Sequence, residues 1–182
     1  MGVIISVLGI LVLCIGIIAL RLVYLSSATK GDSIDIYDSP KSALLVLDIQ
    51  NDTLGISEYG NTKSLMGNIN TAIEYAKDAN MEIIYTKQAF KRTPLNSLIS
   101  GGMYQVDSDG ADLYNDLSVQ TDSIFTKLRT DAFSEEHFEN HLIENEINTL
   151  YIVGADANSC VYKTALGGIN RGYRVIILED SI

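Results

Sequence analysis

The hydrophobic pattern begins with an uncharged apolar run over residues 3–20, which continues after Arg21 as Leu-Val-Tyr-Leu. A helix over this run would span roughly 30 Å of hydrocarbon, so it predicts a single transmembrane anchor over residues 1–25. A cleavable signal peptide is the alternative, because Ser-Ser-Ala at 26–28 fits a cleavage site, but no basic residue precedes the run. Arg21 and Lys30 both follow the span, which favours a cytoplasmic location for the rest of the chain.

Beyond the anchor, the pattern divides into a polar stretch and a long alternating one. Residues 26–41 are polar, contain Gly31 and Pro40 and show no period, so they predict a tether. Over residues 42–182, short apolar runs alternate with amphipathic ones. We expect strands at 43–48, 82–88, 122–127, 149–154 and 173–180, and helices at 64–79, at 134–146 with a capping pair of Ser134 and Glu136, and after Ser159. This order is typical of an α/β fold, here a three-layer α/β/α domain with a doubly wound parallel sheet.

Composition and charge narrow the range of partners. The chain has 182 residues, of which 47% are apolar, enough for one packed domain. Its formal net charge of -10 argues against nucleic acid or an anionic lipid surface as a partner, since both demand clustered basic residues. Of the two cysteines, Cys14 lies in the expected anchor, so a disulfide with Cys160 is excluded and Cys160 is expected to be a free thiol.

Three reactive side chains stand at the carboxyl ends of predicted strands: Asp48, Lys127 and Cys160. In doubly wound sheets, ligands bind at this edge, where the strand order reverses. A thiol reacts as its thiolate, and the first turn of a helix and a nearby ammonium both lower its pKa. A carboxylate next to the thiol can accept its proton and pass it to a leaving amine. The pattern therefore predicts nucleophilic catalysis, with backbone N–H groups after residue 154 facing the oxyanion.

Each of these residues also has a structural interpretation. Cys160 alone fits a buried structural thiol, since free cysteines are among the most buried residues. Asp48 fits a turn-capping network with Asp52. Lys87 competes with Lys127, because it also ends a predicted strand.

Three stretches, ALLVLDIQND, TKLRTDAF and VGADANSCVYKTALGGINRGYRVIILED, resemble the isochorismatase-like cysteine hydrolases, which include nicotinamidases and N-carbamoyl amidases. The resemblance covers about residue 41 to the C-terminus. It implies a catalytic triad of Asp48, Lys127 and Cys160, and a non-proline cis peptide between Ala155 and Asp156 at the oxyanion site. Relatives continue past the last predicted strand with another helix and strand, which leaves a C-terminal truncation open. They also commonly self-associate, which leaves a homo-oligomer open.

The same resemblance suggests the chemistry. Metal-dependent nicotinamidases carry an Asp-x-His element and another histidine after the second strand, where this chain reads YTKQAFKRTPLN. His137 and His141 alone make a poor zinc site, so we expect no catalytic metal and no cofactor. A cysteine at position 160 favours hydrolysis of a C–N bond in a small amide or carbamoyl substrate through a thioester. The alternative is a catalytically idle domain that acts as a binding or scaffold module at the membrane.

Overall fold

A computed structural model describes residues 2–55 and 61–182 of the protein. Within these residues, the chain forms a five-stranded parallel sheet in the order β3-β2-β1-β4-β5. The strands are β1 (Lys41–Leu47), β2 (Glu82–Gln88), β3 (Ile124–Lys127), β4 (Ile147–Gly154) and β5 (Arg174–Ile177). The helices are α1 (Gly2–Ser26), α2 (Asn51–Leu54), α3 (Thr62–Asp78), α4 (Pro94–Ser100), α5 (Glu136–Glu144) and α6 (Tyr162–Ile169).

Helices cover both faces of this sheet. The apolar side chains of α3, including Ile69 and Ile73, pack against Leu44 and Val46 on one face. On the other face, Phe138 and Leu142 of α5 and Ala165 of α6 join Leu45 and its neighbours. Burial on both faces explains why β1 and β4 read as nearly continuous apolar runs. The expected α/β class and doubly wound parallel sheet are confirmed.

The start of α5 differs from the predicted one because other side chains cap the backbone there. Residues 132–134 form a 3₁₀ turn, and α5 begins only at Glu136. Its N-cap is Glu135, whose carboxylate accepts a hydrogen bond from the His137 N–H at 3.3 Å. The predicted capping pair of Ser134 and Glu136 was therefore wrong. Ser134 instead donates its hydroxyl to the Asp131 carbonyl.

The N-terminal helix α1 is long and apolar enough to cross a membrane. Within its span Ser6–Ser26, the most apolar stretch of 18 residues has a mean hydropathy of 2.7, and this stretch is exposed. At about 1.5 Å per residue, a helix of this length reaches across a hydrocarbon core. Length and composition fit either a membrane anchor or a signal sequence. The predicted anchor also includes Met1, which lies outside the described residues.

The predicted tether begins on the last residue of α1 and ends on the first residue of β1, and residues 27–40 between them form no helix or strand but follow the surface of the domain. The Ile34 N–H donates to the Arg171 carbonyl at 2.9 Å, and the Lys41 N–H donates to the Glu146 carbonyl at 3.0 Å. Gly31 lies so close to the Arg171 guanidinium that a side chain there would meet it at 2.6 Å. The segment between α1 and β1 is therefore held against the domain at several points.

Candidate active site

The strand order places the reversal point between β1 and β4. Asp48 follows the last residue of β1, and Cys160 lies in the turn between β4 and α6. Lys127 ends β3, two strands away from β1, where it pairs in register with Gln88 of β2. Parallel strands bring these three residues to the same carboxyl edge, which is where the sequence analysis expected them.

Their side chains meet in a buried cluster. The Lys127 Nζ lies 2.6 Å from Asp48 Oδ2 and 3.5 Å from Cys160 Sγ. Asp48, Lys127 and Cys160 are 3%, 1% and 7% exposed. The hydroxyl of Thr86, in the second half of β2, donates to Asp48 Oδ1 at 2.8 Å and so holds the carboxylate from the other side. A carboxylate, an ammonium and a thiol are thus in direct contact in a site with little exposure to solvent.

The loop after β3 also holds the ammonium of Lys127. Its Nζ donates to the carbonyl oxygens of Arg129 and Thr130, both at 3.1 Å. An ammonium has three protons, and the carboxylate and these two carbonyls are enough to take all of them. The thiol sulfur is therefore a fourth and longer contact. Small shifts of this loop would change how closely the ammonium approaches the sulfur.

The electrostatics of the cluster keep the resting thiol protonated. Burial, followed by the charge of Asp48, raises the pKa of Cys160 to about 12, although Lys127 acts in the opposite direction. The sequence led us to expect a lowered pKa from the helix start and the ammonium. That expectation was wrong, because it did not include the loss of water around the sulfur. Burial alone would lower the pKa of Lys127, but the negative charge of Asp48 and the hydrogen bonds to Asp48 and Cys160 raise it, so the lysine stays charged.

Local backbone geometry brings the thiol turn against β1. Gly154 has φ 129°, and a Cβ there would collide with the Leu47 carbonyl oxygen. This close approach lets the Ala155 N–H donate to that carbonyl at 2.9 Å. The peptide bond between Ala155 and Asp156 is cis, and residues 157–161 form a single π-helical turn that contains Cys160. Since the Ala155 N–H is already bonded, it is not a free donor for an oxyanion.

Two further residues at this site were missed by the sequence analysis. Thr86 belongs to a predicted strand, and nothing in the sequence indicated that it would lie at the site. Tyr104, in the long loop before β3, has φ 54°, and its hydroxyl lies 3.2 Å from Thr53 Oγ1. Burial is the main cause of its raised pKa. Thr53 in turn donates its hydroxyl to the Asp48 carbonyl at 2.9 Å, so the Tyr104 hydroxyl lies near the cluster. This loop has no hydrophobic period from which its path could be read.

The structure places the alternative candidates elsewhere. Lys87 pairs with exposed Asp112 at 3.7 Å. Asp52 accepts from the Tyr104 N–H at 2.6 Å instead of forming a network with Asp48. His141 bonds Glu82 at 2.9 Å, and His137 is exposed. Within the described part of the chain, no three His, Cys, Asp or Glu residues form a group suited to a metal ion.

The fold and the residues at the carboxyl edge of the sheet define a class of protein. It comprises doubly wound α/β proteins that hold a carboxylate, an ammonium and a thiol together where the strand order reverses. The chain belongs to the isochorismatase family, because the sequence model of the isochorismatase domain matches residues 42–182. The resemblance seen in the sequence is thereby confirmed.

Individual relatives agree with this assignment. A secreted isochorismatase effector of Verticillium dahliae is 24% identical over 143 residues, which cover 78% of this chain and 72% of that protein. The N-carbamoylsarcosine amidase of Thermoplasma acidophilum superimposes with a TM-score of 0.68 at 23% identity, covering 78% of this chain and 83% of that one. An isochorismatase-like hydrolase from Alkaliphilus metalliredigens gives a TM-score of 0.69 at 22% identity, with 78% and 81% covered. At these identities, the solved structures establish the shared fold.

Proposed function

We propose that the protein is a cysteine hydrolase that cleaves the C–N bond of a small amide or carbamoyl compound, with α1 as its membrane anchor. The observation that carries this proposal is the buried contact of Lys127 with both Asp48 and Cys160. Burying an ion pair is costly, and a hydrophobic trio of similar volume would serve stability as well or better. A reaction that needs a carboxylate, a cation and a thiol accounts for all three groups.

The reaction begins with a proton transfer, because the resting thiol is neutral. The Cys160 S–H proton moves to the Asp48 carboxylate as the sulfur bonds to the carbonyl carbon of the substrate. The Lys127 ammonium stabilises the negative charge on the sulfur. The N–H groups of Asp156, Ala157 and Cys160 face the developing oxyanion, since the other N–H groups of residues 155–161 already donate to Leu47 or Asp156.

Breakdown of this intermediate returns the proton. The C–N bond breaks, the proton on Asp48 passes to the leaving nitrogen, and the acyl group remains on Cys160 as a thioester. A water molecule then gives its proton to Asp48 and attacks the thioester carbon. The acid is released, and the proton on Asp48 returns to the sulfur. Every step uses only side chains, backbone N–H groups and one water molecule.

Intact-mass spectrometry of the detergent-solubilised protein tests the proposal. After brief incubation with a pool of nicotinamide, carbamoyl and ureido compounds, we expect an acyl adduct on Cys160 and release of the matching amine. Cys160→Ala should lose both the adduct and turnover. Cys14→Ser is the matched control, since it changes the other cysteine, on α1, and should retain both.

Each other result has a defined meaning. Turnover that survives Cys160→Ala contradicts the proposed nucleophile. Activity that is lost on chelation and restored by a divalent metal contradicts the side-chain mechanism. A wild-type chain that forms no adduct and releases no amine supports an idle binding domain instead.

A further inference from the structure

Segment 24–29, which comprises the last residues of α1 and the three residues after it, contacts the loop of residues 129–131. The N–H and hydroxyl of Thr130 both donate to the Leu25 carbonyl, at 3.0 and 3.1 Å. The Arg129 guanidinium donates to the Ser27 carbonyl at 2.9 Å and lies 4.6 Å from the centre of the Tyr24 ring. Leu25 itself is buried. The end of α1 is therefore fixed to the domain.

The other end of the segment is fixed as well. The N–H and hydroxyl of Thr29 donate to Asp131 Oδ2 at 2.6 and 2.7 Å. Asp131 is fully buried, and its second oxygen accepts from the Phe133 N–H at 3.0 Å. Gly167 of α6 leaves room for this carboxylate, since a Cβ there would meet it at 2.6 Å. Charge-assisted hydrogen bonds of this kind are among the stronger ones.

The same loop supports the lysine of the candidate active site. The carbonyls of Arg129 and Thr130 accept from Lys127 Nζ, while the N–H of Thr130 and the side chains of both residues face segment 24–29. The loop thus lies between the ammonium on one side and the membrane end of α1 on the other. Movement of the segment would pass directly to the groups that hold Lys127.

We propose that segment 24–29 is a positioning element of the active site, and that it acts through the loop 129–131 on Lys127; this inference rests on the function proposed above. The two carbonyls fix where Nζ stands relative to Asp48 and Cys160. If the segment is released, the loop relaxes and the ammonium loses its place beside the sulfur. Displacements of about 1 Å in a catalytic group reduce rates by up to about 100-fold.

One consequence concerns the processing of the chain. Cleavage after Ala28 would remove Tyr24, Leu25 and Ser27 and, with them, the carbonyls that Thr130 and Arg129 bind. The active form then keeps its N-terminal helix. The contacts with the loop thus favour a retained anchor over a removed signal sequence.

Paired substitutions in the full-length protein, held in detergent micelles or lipid nanodiscs, test the inference. Tyr24→Leu removes the ring beneath Arg129, and Tyr24→Phe keeps it. Arg129→Met removes the bond to Ser27, and Arg129→Lys restores a donor and a cation. Arg174→Met, at an exposed residue on β5, is the control and should behave as wild type.

Turnover of the amide found by the mass-spectrometric assay is then measured for each variant. We expect kcat to fall about 10- to 100-fold in Tyr24→Leu and Arg129→Met, with KM changed less than about twofold, because a positioning defect acts on the reacting groups. Tyr24→Phe and Arg129→Lys should recover most of the loss. The double variant Tyr24→Leu/Arg129→Met should be no slower than the slower single variant, since both release the same contact.

The outcomes separate the two proposals. Wild-type kcat in folded Tyr24→Leu and Arg129→Met, or a change confined to KM, overturns the positioning role and leaves the proposed function intact. No wild-type turnover of any amide overturns the proposed function and this inference with it. If Arg129→Met fails to fold, the Tyr24 pair decides, because Tyr24 is half-exposed on α1 and outside the packed core.

Discussion

At the scale of single residues, Asp48 has two opposed effects on the thiol. Its negative charge helps to raise the pKa of Cys160 to about 12, after the larger effect of burial. Among the described residues of the cluster, the same carboxylate is the base to which the proton can move, since Lys127 is fully protonated. Asp48 therefore keeps Cys160 protonated in the resting protein, and it accepts the proton of Cys160 when the sulfur attacks a substrate.

This dual effect predicts that Asp48→Asn separates thiol acidity from catalysis. The substitution removes the negative charge that, after burial, most raises the pKa of Cys160, so the thiol pKa should fall. Turnover should fall by about 100- to 10,000-fold, because the proton acceptor is gone. The thiolate is followed by its ultraviolet absorbance from about pH 6 to about pH 12, in a Cys14→Ser background and against a Cys160→Ala blank.

The control for this experiment is Asp112→Asn, which neutralises an exposed carboxylate and should leave both the titration and turnover unchanged. A thiol pKa that rises in Asp48→Asn contradicts the electrostatic account. Retained turnover contradicts the role of Asp48 as the base. Folding of each variant is checked by thermal unfolding, because removal of one partner of a buried ion pair costs about 3–5 kcal/mol.

At the scale of elements, the junction between β4 and the thiol turn depends on one glycine. Gly154 lies at a positive φ with its Cα against the Leu47 carbonyl of β1, so no side chain fits there. We expect Gly154→Ala to destabilise the fold by about 1–3 kcal/mol and to abolish turnover, since the whole turn must shift away from β1.

A glycine-to-alanine substitution on α3 should have the opposite effect on stability. Gly67 lies on the exposed face of α3, and no atom beyond its chain neighbours and the backbone of its own helix stands within 4 Å of the position that an alanine Cβ would take there. Gly67→Ala should therefore stabilise the protein by about 0.5–1 kcal/mol. Denaturant unfolding of both variants measures the two effects. A neutral Gly154→Ala contradicts the steric account of this junction.

These elements also show what the sequence predicts and where prediction stops. The strands and α3 follow from apolar runs and helical periodicity, and Asp48, Lys127 and Cys160 were found because strand ends share one edge of a parallel sheet. Tyr104 was missed because the loop around it has no period, and its path depends on Asp52 and Thr53. The raised thiol pKa was missed because burial depends on packing from several distant segments, which no local motif records.

At the scale of the whole molecule, the contacts of segment 24–29 fix the orientation of the domain relative to α1. The end of α1 is bonded to the loop after β3, which is at the carboxyl edge of the sheet. If α1 spans a bilayer, that edge must face the membrane surface. The amino ends of the strands then lie further away, by about 3.3 Å for each strand residue.

Fluorescence quenching measures this orientation directly. In a Cys14→Ser/Cys160→Ala background, a fluorophore is attached either at Lys91→Cys, beyond the carboxyl end of β2, or at Ala79→Cys, before its amino end; both native residues are exposed. In vesicles whose lipid headgroups carry a nitroxide, we expect stronger quenching at position 91, because the two sites are separated by about seven strand residues, or roughly 23 Å. Equal quenching, or stronger quenching at position 79, contradicts the orientation. Adding Arg129→Met to both labelled proteins should reduce the difference, because the contact that fixes the domain to the end of α1 is then lost.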